Sequence, residues 1–430
     1  MAQNKSTASM ASSLYGAAAN GDTATLTRLL DNGVSPNTRA DWQETALHAA
    51  AAQNQVECVR ILLNHPAIAP NMLSLEGNTP LLKAIEYGAT DCMCILAATP
   101  SVDVRKGNQN PLMRALYWGH VACATQLLQR NSIQSAQEAL TALTIAAENG
   151  NADCLKATLT ASEVYFDKLT ASNDECVTPF YSALNAGHAE CCTLILQSPL
   201  SAHVPPMLRL LFTGDTPAMQ AGISARTVQE FRSEQQQTLL HLAAMHNLVP
   251  AMQHVLNIAP NLLNAEDANG CTPLHLAANF GRTAAMQELL QADGIDINHR
   301  NDRKETALHS ATWNGHAGCV QLLVQAGADA NIPDVEDGVP LYWAAYWGRV
   351  DCLRFLLMAQ GIDVNLAHES GETALHIAAA KGKRECLELL LQEPGILLNI
   401  KDAQGFTPLR RATLKNQTAC ATLLKKAMQR

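Results

Sequence analysis

The sequence has 430 residues and a formal net charge of −9, and 47% of its residues are hydrophobic but only 4% aromatic. The acidic balance argues against a nucleic-acid partner, which requires a clustered basic face. No apolar run approaches ~20 residues, so we expect no membrane insertion. The first residues lack the apolar core of a secretory signal, and we expect residues 1–11 to form a disordered lead-in.

A short pattern recurs along almost the whole chain. Each unit is numbered from its anchor, most often a Thr before Pro-Leu or Ala-Leu. Nine residues later stands a Gly or an Asn, the residue types that most readily adopt the left-handed conformation ending a helix. The pattern predicts thirteen pairs of short helices, of which the units at Ser12 and Pro205 are the faintest. The anchors are Ser12, Thr45, Thr79, Asn110, Thr141, Thr178, Pro205, Thr238, Thr272, Thr306, Val339, Thr373 and Thr407.

Two side chains of the pattern have predicted structural roles. The anchor Thr is expected to cap the first helix, because its hydroxyl can accept an N–H of the first turn. A His three residues after the anchor is expected to hydrogen-bond backbone in the loops between units. We favour that role over metal binding and predict no metal, cofactor or catalytic residue. These histidines are His48, His241, His275, His309 and His376.

Anchor spacings near 33 residues, with Thr272-Pro-Leu-His-Leu-Ala-Ala and Gly327-Ala-Asp-Ala-Asn331, resemble ankyrin repeats. The resemblance covers residues 12–430. It implies an all-α repeat solenoid whose units are a helix-turn-helix and an extended finger, with about 13 units including caps and one degenerate central unit. It indicates the fold more sharply than the function, since this fold serves many tasks.

The middle of the chain is irregular. Anchor spacings of 37 and 27 residues meet there, and four prolines crowd between residues 199 and 217. We predict an N-terminal ankyrin arm at 12–198, a degenerate repeat and possible hinge at 199–237, and a C-terminal ankyrin arm at 238–430.

Most of the thirteen cysteines share one position, thirteen residues after an anchor. Ala251 and Ala285 hold the same position in two other units, so we expect a small buried site that cannot form disulfides along the stack. So many free thiols indicate a reducing compartment, the cytosol or the nucleus. Cys176 and Cys271 lie outside the series and are the candidates for a reactive thiol. The series is Cys58, Cys92, Cys123, Cys154, Cys191, Cys319, Cys352, Cys386 and Cys420.

Aromatic residues concentrate at the end of the first helix, seven and eight residues after the anchor. We call these the groove positions, because the resemblance implies that they line the concave face where ankyrin proteins bind partners. Trp and Tyr at solvated positions mark interaction surfaces. Trp343, one turn earlier, is expected in the core. The predicted protein-binding residues are Tyr87, Tyr117, Trp118, Phe212, Phe280, Trp313, Tyr346 and Trp347.

Charges on the predicted binding side lean acidic, against a few cations at Lys106, Arg303 and Lys381. An aromatic, acid-rimmed face fits a basic or apolar peptide, or a protein face with an exposed Arg. The acids are Asp41, Glu44, Glu76, Glu86, Glu148, Asp302, Glu305, Glu336, Glu369 and Glu372.

The sequence therefore predicts a non-catalytic scaffold that binds partner proteins, with no prediction of oligomeric state. One alternative is a ubiquitin-ligase-type adaptor, although no recruiting box is visible outside the repeats. Another is a bacterial effector acting in host cytosol. A third is a cysteine-dependent enzyme using Cys176 or Cys271, which no motif supports.

Overall fold

The computed structural model describes residues 12–130, 132–171 and 178–429. The predicted lead-in and Cys176 lie outside these ranges. Across the described ranges the chain is helical, with no β-strand and two isolated bridges, Arg39 to Thr45 and Ala367 to Thr373. The predicted all-α repeat solenoid is confirmed.

The thirteen predicted helix pairs are all present. The first helices are 12–20, Ala46–Ala52, Pro80–Glu86, Pro111–Tyr117, Ala136–Glu148, Thr178–Asn185, Pro206–Thr213, Leu239–Met245, Pro273–Asn279, Ala307–Asn314, Pro340–Trp347, Ala374–Ala380 and Pro408–Leu414. The second helices are Thr23–Asp31, Val56–Asn64, Thr90–Ala98, Val121–Gln129, Ala152–Ser162, Ala189–Leu196, Thr216–Gly222, Val249–Ile258, Thr283–Leu290, Ala317–Gln325, Val350–Leu356, Arg384–Leu390 and Thr418–Ala427. Two further helices are Phe166–Ala171 and Ala225–Glu230, and short 3-10 helices lie at Asp41–Gln43, Glu163–Tyr165, Pro199–His203 and Pro260–Leu262.

Helix ends lie where the pattern predicts them. All thirteen Gly or Asn residues nine positions after an anchor have φ between 54° and 79°, the left-handed region. Seven anchor threonines are N-caps, and Thr79 accepts the N–H of Leu82 at 3.3 Å.

The predicted cap at Thr141 is wrong. Thr141 lies inside the helix Ala136–Glu148, which begins six residues earlier than the pattern predicts. Ser135 is the cap and accepts the N–H of Glu138 at 3.1 Å. A Ser followed three residues later by Glu is a strong helix-start signal, and it prevails over the weaker Thr.

The series of cysteines is buried in the core. All nine have a relative exposure of 1% or less, as do Ala251 and Ala285 in the same position. Every cysteine in the part of the chain that the structure describes is a free thiol. The small residue at this position is therefore a packing requirement of the second helix, as predicted.

The five predicted histidines join successive units. Each places Nδ1 near the N–H of its own anchor Thr and Nε2 near a carbonyl in the next finger, as His48 does to Asn78 O at 3.0 Å. A backbone N–H only donates and a carbonyl only accepts, so the ring is neutral with its proton on Nε2. The predicted structural role is confirmed.

Internal contacts divide the chain into two compact units, Met1–Pro205 and Pro206–Arg430. The segment 199–237 holds the helix pair of the degenerate unit and the helix Ala225–Glu230. The proposed arm boundaries and hinge stay predictions.

Candidate functional site

Within Met1–Pro205, three predicted aromatics are exposed at the groove positions. Tyr87 is 62% exposed, and Tyr117 and Trp118 are 52% exposed each. The rings of Tyr117 and Trp118 meet edge to face with centroids 5.2 Å apart. The guanidinium of Arg114 lies 5.9 Å and 5.7 Å from those two centroids. We call Tyr87, Tyr117 and Trp118 the N-terminal patch.

Within Pro206–Arg430, three predicted aromatics form the C-terminal patch: Trp313, Tyr346 and Trp347. Trp313 and Trp347 are 37% and 42% exposed, and their ring centroids lie 5.4 Å apart although they belong to neighbouring units. Tyr346 is half-buried and contacts Trp347 with centroids 4.9 Å apart. The patch is therefore one surface that spans two units.

Buried aromatics support the C-terminal patch from behind. Trp343 is 7% exposed, contacts Trp313 at 4.9 Å between centroids, and donates its indole N–H to Asp334 Oδ2 at 2.7 Å. Tyr342 stacks on His368 with centroids 4.6 Å apart, and burial raises its pKa. The predicted core position of Trp343 is confirmed, and these contacts fix the rings in front of it.

Phe212 is not available as a contact residue. It is 8% exposed and packs edge to face on His246 of the next unit, with centroids 5.0 Å apart. Phe280 is half-buried, with the guanidinium of Arg282 6.0 Å from its ring centroid. The sequence could not separate them from the exposed aromatics, because side-chain packing, on His246 of the next unit for Phe212 and beside Arg282 of the same unit for Phe280, decides which groove positions are covered.

Half of the predicted acidic rim is neutralised by cations. Lys83 lies 3.0 Å from Glu44 and 3.1 Å from Glu76, and Arg411 lies 3.2 Å from Glu372. Burial alone would lower the pKa of Lys83, but the two carboxylates outweigh it and raise that pKa. Arg114 and Arg303 pair more loosely with Glu86 and Glu305, at 3.9 Å and 3.5 Å.

The other half of the rim is exposed and forms no ion pair with a Lys or Arg in the described ranges. His368 lies 3.8 Å from one of these acids, Glu336. The exposed acids are Asp41, Glu148, Asp302, Glu336 and Glu369.

The described thiols are poor nucleophiles. Burial raises the pKa of Cys271 to about 11 and raises that of Cys94, so both are protonated at neutral pH. The raised pKa argues against a nucleophilic thiolate at Cys271. No three His, Cys, Asp or Glu residues among those described are grouped so as to hold a metal ion.

The pattern of repeats decides the family. The family model for ankyrin repeats in three copies matches residues 14–106, 68–137, 112–205, 207–301, 240–334, 297–368 and 341–429. The chain belongs to the ankyrin-repeat family. Ankyrin repeats are interaction scaffolds, and membership points away from an enzyme.

Curated relatives match a short part of this ankyrin chain. SMC5-SMC6 complex localization factor protein 1 of Homo sapiens is 44% identical over 89 residues, which are 20% of this chain and 8% of that protein. The Bos taurus protein is 43% identical over 89 residues, and the Mus musculus protein is 47% identical over 62 residues, 6% of its length. The matches thus cover less than a tenth of these relatives.

None of the ankyrin chain's described helices is long and apolar enough to cross a membrane.

Proposed function

We propose that this chain is a non-catalytic scaffold that binds partner proteins through the face formed by its first-helix ends and fingers. The observation that carries the proposal is the exposed pair Trp313 and Trp347, in ring contact across two units. The N-terminal patch supplies a second surface of the same kind. Each patch is proposed as a binding surface in its own right.

Exposed indoles in fixed positions favour a role in partner binding over a role in packing against neighbouring fingers. Covering a Trp removes a large apolar area from water, and Trp and Tyr dominate the energetics of protein interfaces. Because Trp343 and Asp334 hold the neighbouring rings, little side-chain entropy remains to be lost when a partner docks.

Exposed acids at the finger tips limit the partner's chemistry at one edge of the C-terminal patch. Asp302 and Glu336 precede the first helices of the two units of the patch, and Glu369 precedes the first helix of the unit that follows. An Arg or Lys of a partner fits this edge. Glu372 already pairs with Arg411 and adds nothing to it.

The buried free thiols favour a reducing compartment, cytosol or nucleus. The relatives' name describes a localization factor for a complex, and a scaffold that recruits one protein to another fits that description. A ubiquitin-ligase-type adaptor or a bacterial effector would use the same surface, and a partner list separates these possibilities.

Affinity purification with the full chain tests the proposal. We compare wild type with Tyr117→Ala/Trp118→Ala and with Trp313→Ala/Trp347→Ala. The matched control is Met358→Ala/Leu397→Ala, which removes two exposed apolar side chains away from the groove positions. The proposal expects partners retained by wild type and control but lost from at least one aromatic double variant. Survival of every partner in both variants would overturn it.

A further inference from the structure

The C-terminal end of the chain is basic although the whole chain is acidic. Residues 374–430 hold ten Lys and Arg against four Asp and Glu, whereas the 373 residues before them hold twenty against thirty-five. Such a reversal within one chain indicates a surface with its own kind of partner.

Two of these cations continue the row of groove positions beyond Trp347. Lys381 and Lys415 stand eight residues after the anchors Thr373 and Thr407, the position that Trp347 holds in its own unit. Both are exposed, and neither forms an ion pair within the described ranges. The exposed Leu414 stands next to Lys415, in the position that Tyr346 holds in its unit.

Lys381 is held in place by the C-terminal patch. Its Nζ lies 4.3 Å from the ring centroid of Tyr346 and donates to the phenolic oxygen at 3.3 Å. The ring that would otherwise take a partner's cation is thus covered by one of the protein's own. The remaining N–H groups of the ammonium are free to donate to an anion.

The space between these residues is a cleft of about 390 Å³. Its floor is apolar, from Ile377, Ala380 and Tyr342, and it is lined by Lys381, Lys415 and one carboxylate, Glu372. Arg411 also lines it, but its guanidinium is engaged by Glu372 and by the buried Asp402. The two lysines therefore provide the unpaired charge.

We propose that this cleft binds an acidic protein segment that carries an apolar side chain. The apolar side chain occupies the floor, and carboxylates pair with Lys381 and Lys415. The inference rests on the proposed function, since it names the chemistry of a partner at the edge of the C-terminal patch. Two free lysines are too few for a nucleic acid, whose binders neutralise several phosphates.

Three fluorescein-labelled peptides of equal length test the proposal by anisotropy with the full chain. Each has one central Trp, flanked by Glu, by Gln or by Lys. The variants are Lys381→Ala/Lys415→Ala and Trp313→Ala/Trp347→Ala. The matched control is Lys425→Ala/Lys426→Ala, which removes two positive charges in the same way from Thr418–Ala427, the second helix of the last unit.

The expected result is that the Glu peptide binds tightest and that Lys381→Ala/Lys415→Ala weakens it about tenfold. The Lys425→Ala/Lys426→Ala control stays within about twofold, and added salt weakens binding. The proposal is overturned if both lysine variants lose the same affinity, or if the Lys or Gln peptide binds more tightly than the Glu peptide. It is also overturned if a single-stranded oligonucleotide binds more tightly and displaces the Glu peptide, or if the Glu peptide does not bind in the millimolar range.

The tryptophan variant separates this failure from failure of the proposed function. If the three peptides bind alike and all lose affinity in Trp313→Ala/Trp347→Ala, the aromatic surface stands and the acidic preference is wrong. If Glu-peptide binding depends on the lysines but not on the tryptophans, the acidic preference stands and the C-terminal patch is not the contact surface.

Discussion

The imidazole of His275 donates from Nε2 to the carbonyl oxygen of Glu305 in the next unit, at 3.0 Å. Its Nδ1 accepts the N–H of Thr272 at 3.2 Å. Both bonds require the neutral ring, and burial lowers the pKa of His275 to about 4. We therefore expect the joint between two repeats to depend on pH, and the same pair of bonds recurs in five units.

Stability is expected to fall as the pH drops from about 6.5 to about 4. Between these values the unfolded chain binds a proton at His275 and the folded chain does not, so the contribution is complete above the unfolded pKa. By about pH 5 the loss at His275 is about 2 kcal/mol. Urea unfolding of wild type and His275→Gln at pH 7.5 and about pH 5 measures it. The variant is less stable at the higher pH and shows the smaller decline. His203→Gln, an exposed control, keeps the wild-type decline. Equal declines in all three would contradict the account.

Cys319 is expected to tolerate Ala and to reject Leu. Its side chain is fully buried, and Ala285 fills the same position one unit earlier. Cys319→Ala should cost less than about 1.5 kcal/mol, whereas Cys319→Leu overpacks the helix pair and should cost about 1–3 kcal/mol. Thermal unfolding of the two variants gives the comparison. A similar cost for both would mean that size does not set this position.

We expect Trp343 to contribute mainly to the stability of the fold and Trp347 mainly to partner binding. Trp343→Ala removes a buried indole and takes the indole N–H away from Oδ2 of Asp334, so it should cost about 3–5 kcal/mol. Trp347→Ala removes a partly exposed ring and should cost less than about 1 kcal/mol. Urea titrations with matched slopes provide both values. A large cost at Trp347 would place it in the core and weaken its assignment to the surface.

Among the cations of Met1–Pro205, Lys83 is expected to contribute most to the stability of the fold. Lys83→Ala leaves the carboxylate of Glu44, whose side chain is 13% exposed, without its cation, and should cost about 3 kcal/mol. Lys106→Ala, an exposed control, should change stability by less than about 0.5 kcal/mol. Tyr15 reports on the same cluster, because burial and its hydrogen bond to Glu44 raise its pKa to about 12. An unchanged stability in Lys83→Ala would show that Glu44 finds water instead.

The fold followed from the sequence because its signals are local. A Thr cap, a His three residues on and a Gly or Asn nine residues on act within one unit, and the repetition of the pattern excluded chance. The error at Thr141 arose where a stronger local signal, Ser135 with Glu138, lay outside the pattern.

The candidate site was only partly predictable because its side chains pair between units. Glu44 pairs with Lys83, and Glu372 pairs with Arg411. In both pairs the acid stands one residue before an anchor, and the cation stands four residues after the next anchor. That shared spacing was visible in the sequence, and searching for it would have removed both acids from the predicted rim. The burial of Phe212 against His246 and the cover of Lys381 over Tyr346 depend on side-chain geometry that spacing does not encode.

Equilibrium binding of a captured partner to wild type, Trp313→Ala/Trp347→Ala and Met358→Ala/Leu397→Ala tests the central claim most directly. Isothermal titration gives the affinity, and thermal unfolding verifies that all three chains are folded. For a partner held by the C-terminal patch, the tryptophan variant binds at least about tenfold more weakly, and the control matches wild type. A tryptophan variant that is folded and binds every captured partner with wild-type affinity would contradict the assignment of the C-terminal patch as a binding surface.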